Sequence, residues 1–215
     1  MLVEWPYKSI LTGEAQSGQR DSERQWRTDE RTGSDLKRLA DLLRRYNTIG
    51  DAIAGVIGRP AERGHVGEYI AAQIFNITLE RSARKRAHDG RFIAGALAGR
   101  TVNVKWYGKQ EGVLDLHARG APDYYLALTG PAGSAVSSRG GTRPWVIQSV
   151  YLFDARRLLE DLRARDIKIR TGSSVRQVLW KAAEIYPEPR NTILVLPQEQ
   201  RDLLALFGPG RGTNG

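Results

Sequence analysis

Asp89-Gly90-Arg91-Phe92, a Gly/Ala-rich passage from Gly95 to Gly99, and then Arg100-Thr101-Val102-Asn103-Val104-Lys105-Trp106 form the stretch whose reading decides the fold. Val102, Val104 and Trp106 alternate with Asn103 and Lys105, the period of a strand with one apolar and one polar face. Asn103 and Lys105 therefore share a face, expected to lie on the side of the sheet away from the core. Asp89 to Ala94 reads as the neighbouring strand, and the Gly95–Gly99 passage is short enough for a hairpin connection with glycine in the turn. Such a hairpin brings Asp89, Asn103 and Lys105 close together. A carboxylate, an amide oxygen and an ammonium on one sheet edge can hold a hard divalent cation and a phosphate oxygen together.

Outward from this stretch, helices and strands take turns. Residues 1–33 are polar, with acids and bases nearly balanced, and read as a flexible N-terminal arm. Ser34-Asp35-Leu36 opens a helix with an apolar stripe of Leu36, Leu39, Leu42 and Leu43. A second helix is expected over Ile49–Ile57, stopping at Gly58-Arg59-Pro60, and a third from about Val66 to Phe75, with Glu68 near its start. After the hairpin, Pro122–Leu128 reads as a strand and Gly130–Thr142 as a Gly/Ser loop. Trp145–Phe153 reads as a strand and Asp154–Arg165 as a helix. Ser173 is expected to cap a helix through Ile185, Thr192–Leu196 to form a last strand, and Pro197 to open a helix through Phe207. Residues 34–207 thus predict a single α/β domain, a central mixed β-sheet flanked by helices, with a disordered tail over 208–215.

The composition narrows the chemistry. The 215 residues include no cysteine, which excludes disulfides and thiolate metal sites, and the three histidines, His65, His88 and His117, lie too far apart to suggest zinc. The first residues lack a basic and apolar leader, and no stretch reaches the roughly 20 apolar residues of a membrane span, so a soluble, cytoplasmic protein is expected. No Gly-rich nucleotide loop of the Walker type is present. The net charge of +9 points to an anionic partner. Arg81, Arg84, Lys85, Arg86, Arg91, Arg100 and Lys109 cluster around the hairpin with Asp89 as the only acid among them, the concentration that phosphate-backbone binding needs.

The order of Glu68 on a helix, Asp89 on one strand and Asn103-Val104-Lys105 on the next resembles the PD-(D/E)XK nucleases of the restriction-endonuclease-like fold. The resemblance covers about residues 64–130, and Asn103 stands where that family usually carries Glu, Asp or Gln. It implies a helix, three strands, a helix and a strand around a nuclease site that hydrolyses phosphodiester bonds of nucleic acid, with DNA as the expected partner. It also implies Mg²⁺, with Mn²⁺ as a substitute, held by Asp89, Asn103, the Val104 carbonyl and Glu68, with Lys105 at the scissile phosphate. A homodimer is compatible with it. His88 is placed to touch phosphate. Asp115 and Asp123 compete for the part of the acid that Asn103 does not supply, although each also reads as a strand-end or turn residue. Two other classes stay open. One is a catalytically lapsed nuclease fold acting as a nucleic-acid-binding module; the other is an interaction protein of the toxin–antitoxin kind.

Overall fold

Helix α1 (Glu14–Ile57) is one continuous helix of 44 residues in the computed structural model, which describes residues 14–80, 88–118, 120–132 and 143–209, with residues 14–32 as backbone only. It replaces the two helices expected after residue 34, and its first half covers residues 14–33, which composition alone assigned to a loose arm. The sequence Tyr46-Asn47-Thr48 carries neither proline nor a turn signal. Gly50 costs an exposed helix only about 1 kcal/mol against alanine. The first half is rich in Glu, Gln and Arg, which lose little rotamer freedom in a helix. On its polar side Asp41 pairs with Arg44 and Arg45 at 3.5 and 3.1 Å.

The chain divides into two units, Met1–Val56 and Ile57–Gly215. The second begins with α2 (Arg63–Phe75), followed by β1 (Ile77–Leu79), β2 (Gly90–Phe92), β3 (Thr101–Tyr107), β4 (Val113–Leu114), β5 (Tyr124–Thr129) and β6 (Ser149–Asp154). Then come α3 (Ala155–Arg163), β7 (Ser173–Ser174), α4 (Gln177–Ala183), β8 (Glu184–Tyr186) and α5 (Gln198–Ala205). The main sheet has six strands in the order β1-β2-β3-β5-β6-β8, and β4 and β7 form a separate two-stranded ladder. β1 pairs antiparallel with β2 and β2 with β3, β5 lies parallel to β3, and β6 and β8 return antiparallel. The fold is α/β, a mixed sheet flanked by helices, as the alternation of elements predicted.

Two separate cores cover the two faces of this sheet. Val102, Val104, Leu126, Leu128, Val150 and Leu152 project into one core, which they share with α2 and α5. Tyr125, Ala127, Tyr151 and Phe153 project into the other, with Leu158, Leu162 and Trp180 from α3 and α4. The face of β3 expected to avoid the core is therefore covered as well. Alternation reveals which residues share a face but not what later segments lay over it.

Close packing between α2 and β3 depends on Gly67. A Cβ there would stand 2.9 Å from the Cβ of Trp106, so only glycine lets the helix come this near. Gly90 serves the same purpose between β1 and β2, where a Cβ would meet the Thr78 carbonyl oxygen at 2.6 Å.

Several boundaries differ from expectation. The hairpin from Asp89 forms, with β2 paired to β3 through Gly90 opposite Val102, and its connection contains a 3₁₀ turn at Gly95–Leu97. The segment after Ser173 is a short strand, a helix and another strand, since its backbone is drawn into pairing with Val113–Leu114 and with β6. Thr192–Leu196 is irregular; Asn191 anchors it instead, donating to the Leu152 carbonyl at 2.8 Å and accepting from the Ile193 amide. Trp145–Gln148 precede β6 rather than belonging to it. The helix that the resemblance implies before the Trp145 strand would fall in the Gly/Ser stretch, of which residues 133–142 lie outside the described residues; the crossing from β3 to its parallel neighbour β5 is made by β4 and irregular backbone among the described residues of 108–123.

Candidate active site

Asp89 sits just before β2 and is fixed by its backbone on both sides. Its N–H donates to the Val102 carbonyl at 2.9 Å, and its own carbonyl accepts from Glu80 N–H at 2.9 Å. This double tether aims the side chain along β3, where the carboxylate accepts the Val104 N–H at 2.7 Å. A strand residue sends its N–H and C=O to the same edge, so the Val104 carbonyl also faces the gap beyond the start of β2. Burial pushes the Asp89 carboxyl above its ordinary range; the Val104 amide opposes the rise, Glu68 adds to it, and Lys105 and His117 oppose it. Glu68, Lys105 and His117 are thus the charged side chains that act on this carboxylate.

Glu68 follows Gly67, which lies against Trp106, and its charge acts on Asp89. Its carboxylate is paired with Arg59 at 2.5 Å, a partner that sequence reading missed. The helix ends two residues before Arg59, and the turn through Gly58-Arg59-Pro60 carries the guanidinium back onto α2.

Asn103 and Lys105 share the second face of β3. Asn103 is buried, and its Oδ1 accepts no hydrogen bond from any described residue. A buried acceptor of this kind carries a free-energy cost of about 1–3 kcal/mol unless something donates to it or a cation binds it. Asn103 lies opposite Tyr125 in the β3–β5 ladder. The Tyr125 hydroxyl accepts from the His117 N–H at 3.2 Å and so ties the crossing loop to this end of the sheet. His117 is exposed and within electrostatic reach of Asp89. No sequence signal marked it, because a loop without a recognisable pattern brings it in.

The competing carboxylates are used elsewhere. Asp123 accepts from the Thr101 amide at 2.8 Å and the Thr101 hydroxyl at 2.7 Å, and pairs with Arg100 at 3.4 Å. Burial pushes its carboxyl up, but Thr101 and Arg100 together outweigh that and hold it below the ordinary range. Asp115 accepts the Gly172 N–H at 2.7 Å and fixes the β4–β7 turn. His88 lies against Glu80 at 3.5 Å, and His65 stands 3.0 Å from the Pro60 carbonyl, so both have structural partners.

Of the basic cluster, Arg91 donates to the Gly99 carbonyl, Arg100 is exposed beside Asp123, and Lys109 is half-buried just beyond β3. Arg81, Arg84, Lys85 and Arg86 lie outside the described residues. Among the described residues no group of three or more His, Cys, Asp or Glu is arranged to hold a metal ion, and no helix is long and apolar enough to cross a membrane. A cation at this place would rest on Asp89, the Val104 carbonyl, Glu68 and Asn103 Oδ1. The unpartnered Asn103 oxygen and the buried Asp89 carboxylate fit that demand. A scan of the chain against protein-family models finds no match, and a search of curated proteins finds no relative.

Proposed function

We propose that the protein is a metal-dependent nuclease that hydrolyses phosphodiester bonds of nucleic acid, DNA first among the substrates. The observations that carry this reading are the buried Asp89 carboxylate in the field of Lys105 and Glu68, and the buried Asn103 Oδ1 on the paired strand, which accepts no hydrogen bond from any described residue.

Phosphodiester cleavage requires stabilisation of the negative charge that builds on the phosphoryl oxygens and a water aligned with the leaving group. Lys105 projects beside Asp89 and supplies a fixed positive charge to a phosphate oxygen and a donor that orients the attacking water. Asp89 is held through one oxygen by the Val104 amide, and its other oxygen would serve the cation. Mg²⁺, or Mn²⁺ in its place, would be held by Asp89, Asn103 Oδ1, the Val104 carbonyl and Glu68, and supplies Lewis acidity toward phosphate and water when bound. Arg91, Arg100, Lys109 and the Arg81–Arg86 cations would follow the phosphate backbone. Substituting Arg84, Lys85 and Arg86 with alanine should flatten the slope of log affinity against log salt by about one for each phosphate left without its cation.

One observation favours the binding-module reading. Arg59 neutralises Glu68 and Asn103 is uncharged, leaving Asp89 as the single unneutralised acid of the four-residue set. Incubation with supercoiled plasmid and single-stranded substrates in Mg²⁺, Mn²⁺ or EDTA separates the two. Metal-dependent cleavage supports the nuclease; salt-sensitive binding without cleavage under any condition supports the module.

A further inference from the structure

The second half of α1 carries an apolar stripe that the polar composition of its first half does not suggest. Leu36, Leu39, Leu43 and Tyr46 recur at intervals of three and four residues, and Gly50 and Ile53 continue the same seam. Such spacing fills the inward positions of a heptad. Leu42, Ile49 and Val56 widen the stripe on one flank, and Ala40 and Ala54 lie on the other. The large side chains of the stripe stand in the open: Leu36 is 61% exposed, Tyr46 62% and Val56 69%.

We infer that this stripe is the contact surface for a second copy of the chain, pairing α1 with α1. Seven of its large side chains, from Leu36 to Val56, are half exposed or more, a contiguous apolar face longer than the singly scattered apolar residues of a monomer's surface and of the kind that a protein interface covers. Charge selects an identical partner. The chain carries a net charge of +9, so most faces of two copies repel. Along this seam the flanking positions are Ala, Asn, Leu, Ile and Val, with Asp35 at its start as the exception. Lys37, Arg38, Arg44 and Arg45 occupy positions turned away from it, and Asp41 already neutralises part of that charge. Two such stripes therefore meet without bringing like charges together. Gly50 adds a place where the two backbones can approach closely.

Sedimentation of the full chain from about 1 to 100 μM tests the proposal. The expected result is a mass that rises to twice that of one chain. Leu39→Glu/Leu43→Glu should weaken association at least about 100-fold, because each copy then buries two unpaired carboxylates. Arg45→Ala, on the opposite side, should leave it unchanged. As the natural chain has no cysteine, Tyr46→Cys gives a clean second readout. It should form an oxidised cross-linked dimer, and adding Leu39→Glu/Leu43→Glu should abolish that product even if the helix frays. A wild-type chain that stays monomeric throughout overturns the proposal and means that the stripe is covered by another segment or another protein. Dimers that survive the double glutamate substitution overturn it too, because they form through another surface.

Discussion

The two faces of β3 differ: Val102, Val104 and Trp106 on one are all buried, whereas on the other Asn103 is buried between half-buried Thr101, Lys105 and Tyr107. Val104 is 5% exposed and Asn103 3%, but Val104 enters an all-apolar core beneath α2 whereas Asn103 brings an unsatisfied amide oxygen into the second core. On the first face every buried group is repaid by packing. On the second, the chain tolerates an orphan acceptor, and at the strand's edge a carboxylate pushed up by burial. On the proposed reading, local rules are broken where the nuclease chemistry needs them broken. The comparison predicts that substitutions on the first face cost stability, and that Lys105→Ala and loss of the Asp89 carboxylate cost activity.

The largest effect is expected on the apolar face. Trp106→Ala removes the side chain that Gly67 packs against and the indole donor to the Val146 carbonyl, and should destabilise the protein by about 3–5 kcal/mol in denaturant unfolding. A loss under about 1 kcal/mol would mean that α2 is held by something other than this packing.

Next in size is the clamp at the start of the polar face. Asp123→Asn removes a charged acceptor from Thr101 and Arg100 and should cost roughly 1 kcal/mol, kept small by solvent at this partly exposed site. The folded carboxyl keeps its charge to lower pH than the unfolded one. Its contribution is therefore complete at neutral pH and fades as pH falls through the ordinary carboxylate range toward the lowered value. The variant should show a flatter acid limb in unfolding measurements.

The opposite sign is expected at Asp89. Its carboxyl is raised, so the folded state binds more protons than the unfolded one in the window just above the ordinary value, and stability falls as pH rises through it. Asp89→Asn retains an acceptor for the Val104 amide while removing the buried charge. In EDTA at neutral pH it should be more stable than wild type by about 1 kcal/mol, a rise of about 2–4 °C in Tm. Added Mg²⁺ should raise the Tm of the wild type and leave that of the variant where it was. A wild type that is more stable than the variant in EDTA would remove the contrast between the two faces.

The hairpin was legible because Thr101–Tyr107 is long enough for alternation to register and a glycine-bounded passage precedes it. The three-residue strands β1 and β8 were not, since strands so short carry no periodicity and exist through pairing alone. The four-residue set is proposed from its order along the chain. Arg59 and His117 could not be read from that order, because a turn and a patternless crossing loop bring them to Glu68 and Asp89. Nor could the burial of Asn103, because alternation shows which residues share a face and not what later segments lay over it.

The nuclease assignment is tested most directly by comparing wild type, Lys105→Ala and Asn103→Asp for plasmid cleavage in Mg²⁺ and in EDTA, with nucleic-acid affinity measured on the same preparations. Lys105→Ala should lower the cleavage rate at least about 100-fold with affinity changed less than about threefold. Asn103→Asp should cleave as fast as wild type or faster, because a second anionic oxygen strengthens the hold on the cation, and EDTA should stop every variant. Cleavage by Lys105→Ala at the wild-type rate, or cleavage that persists in EDTA, would contradict the account.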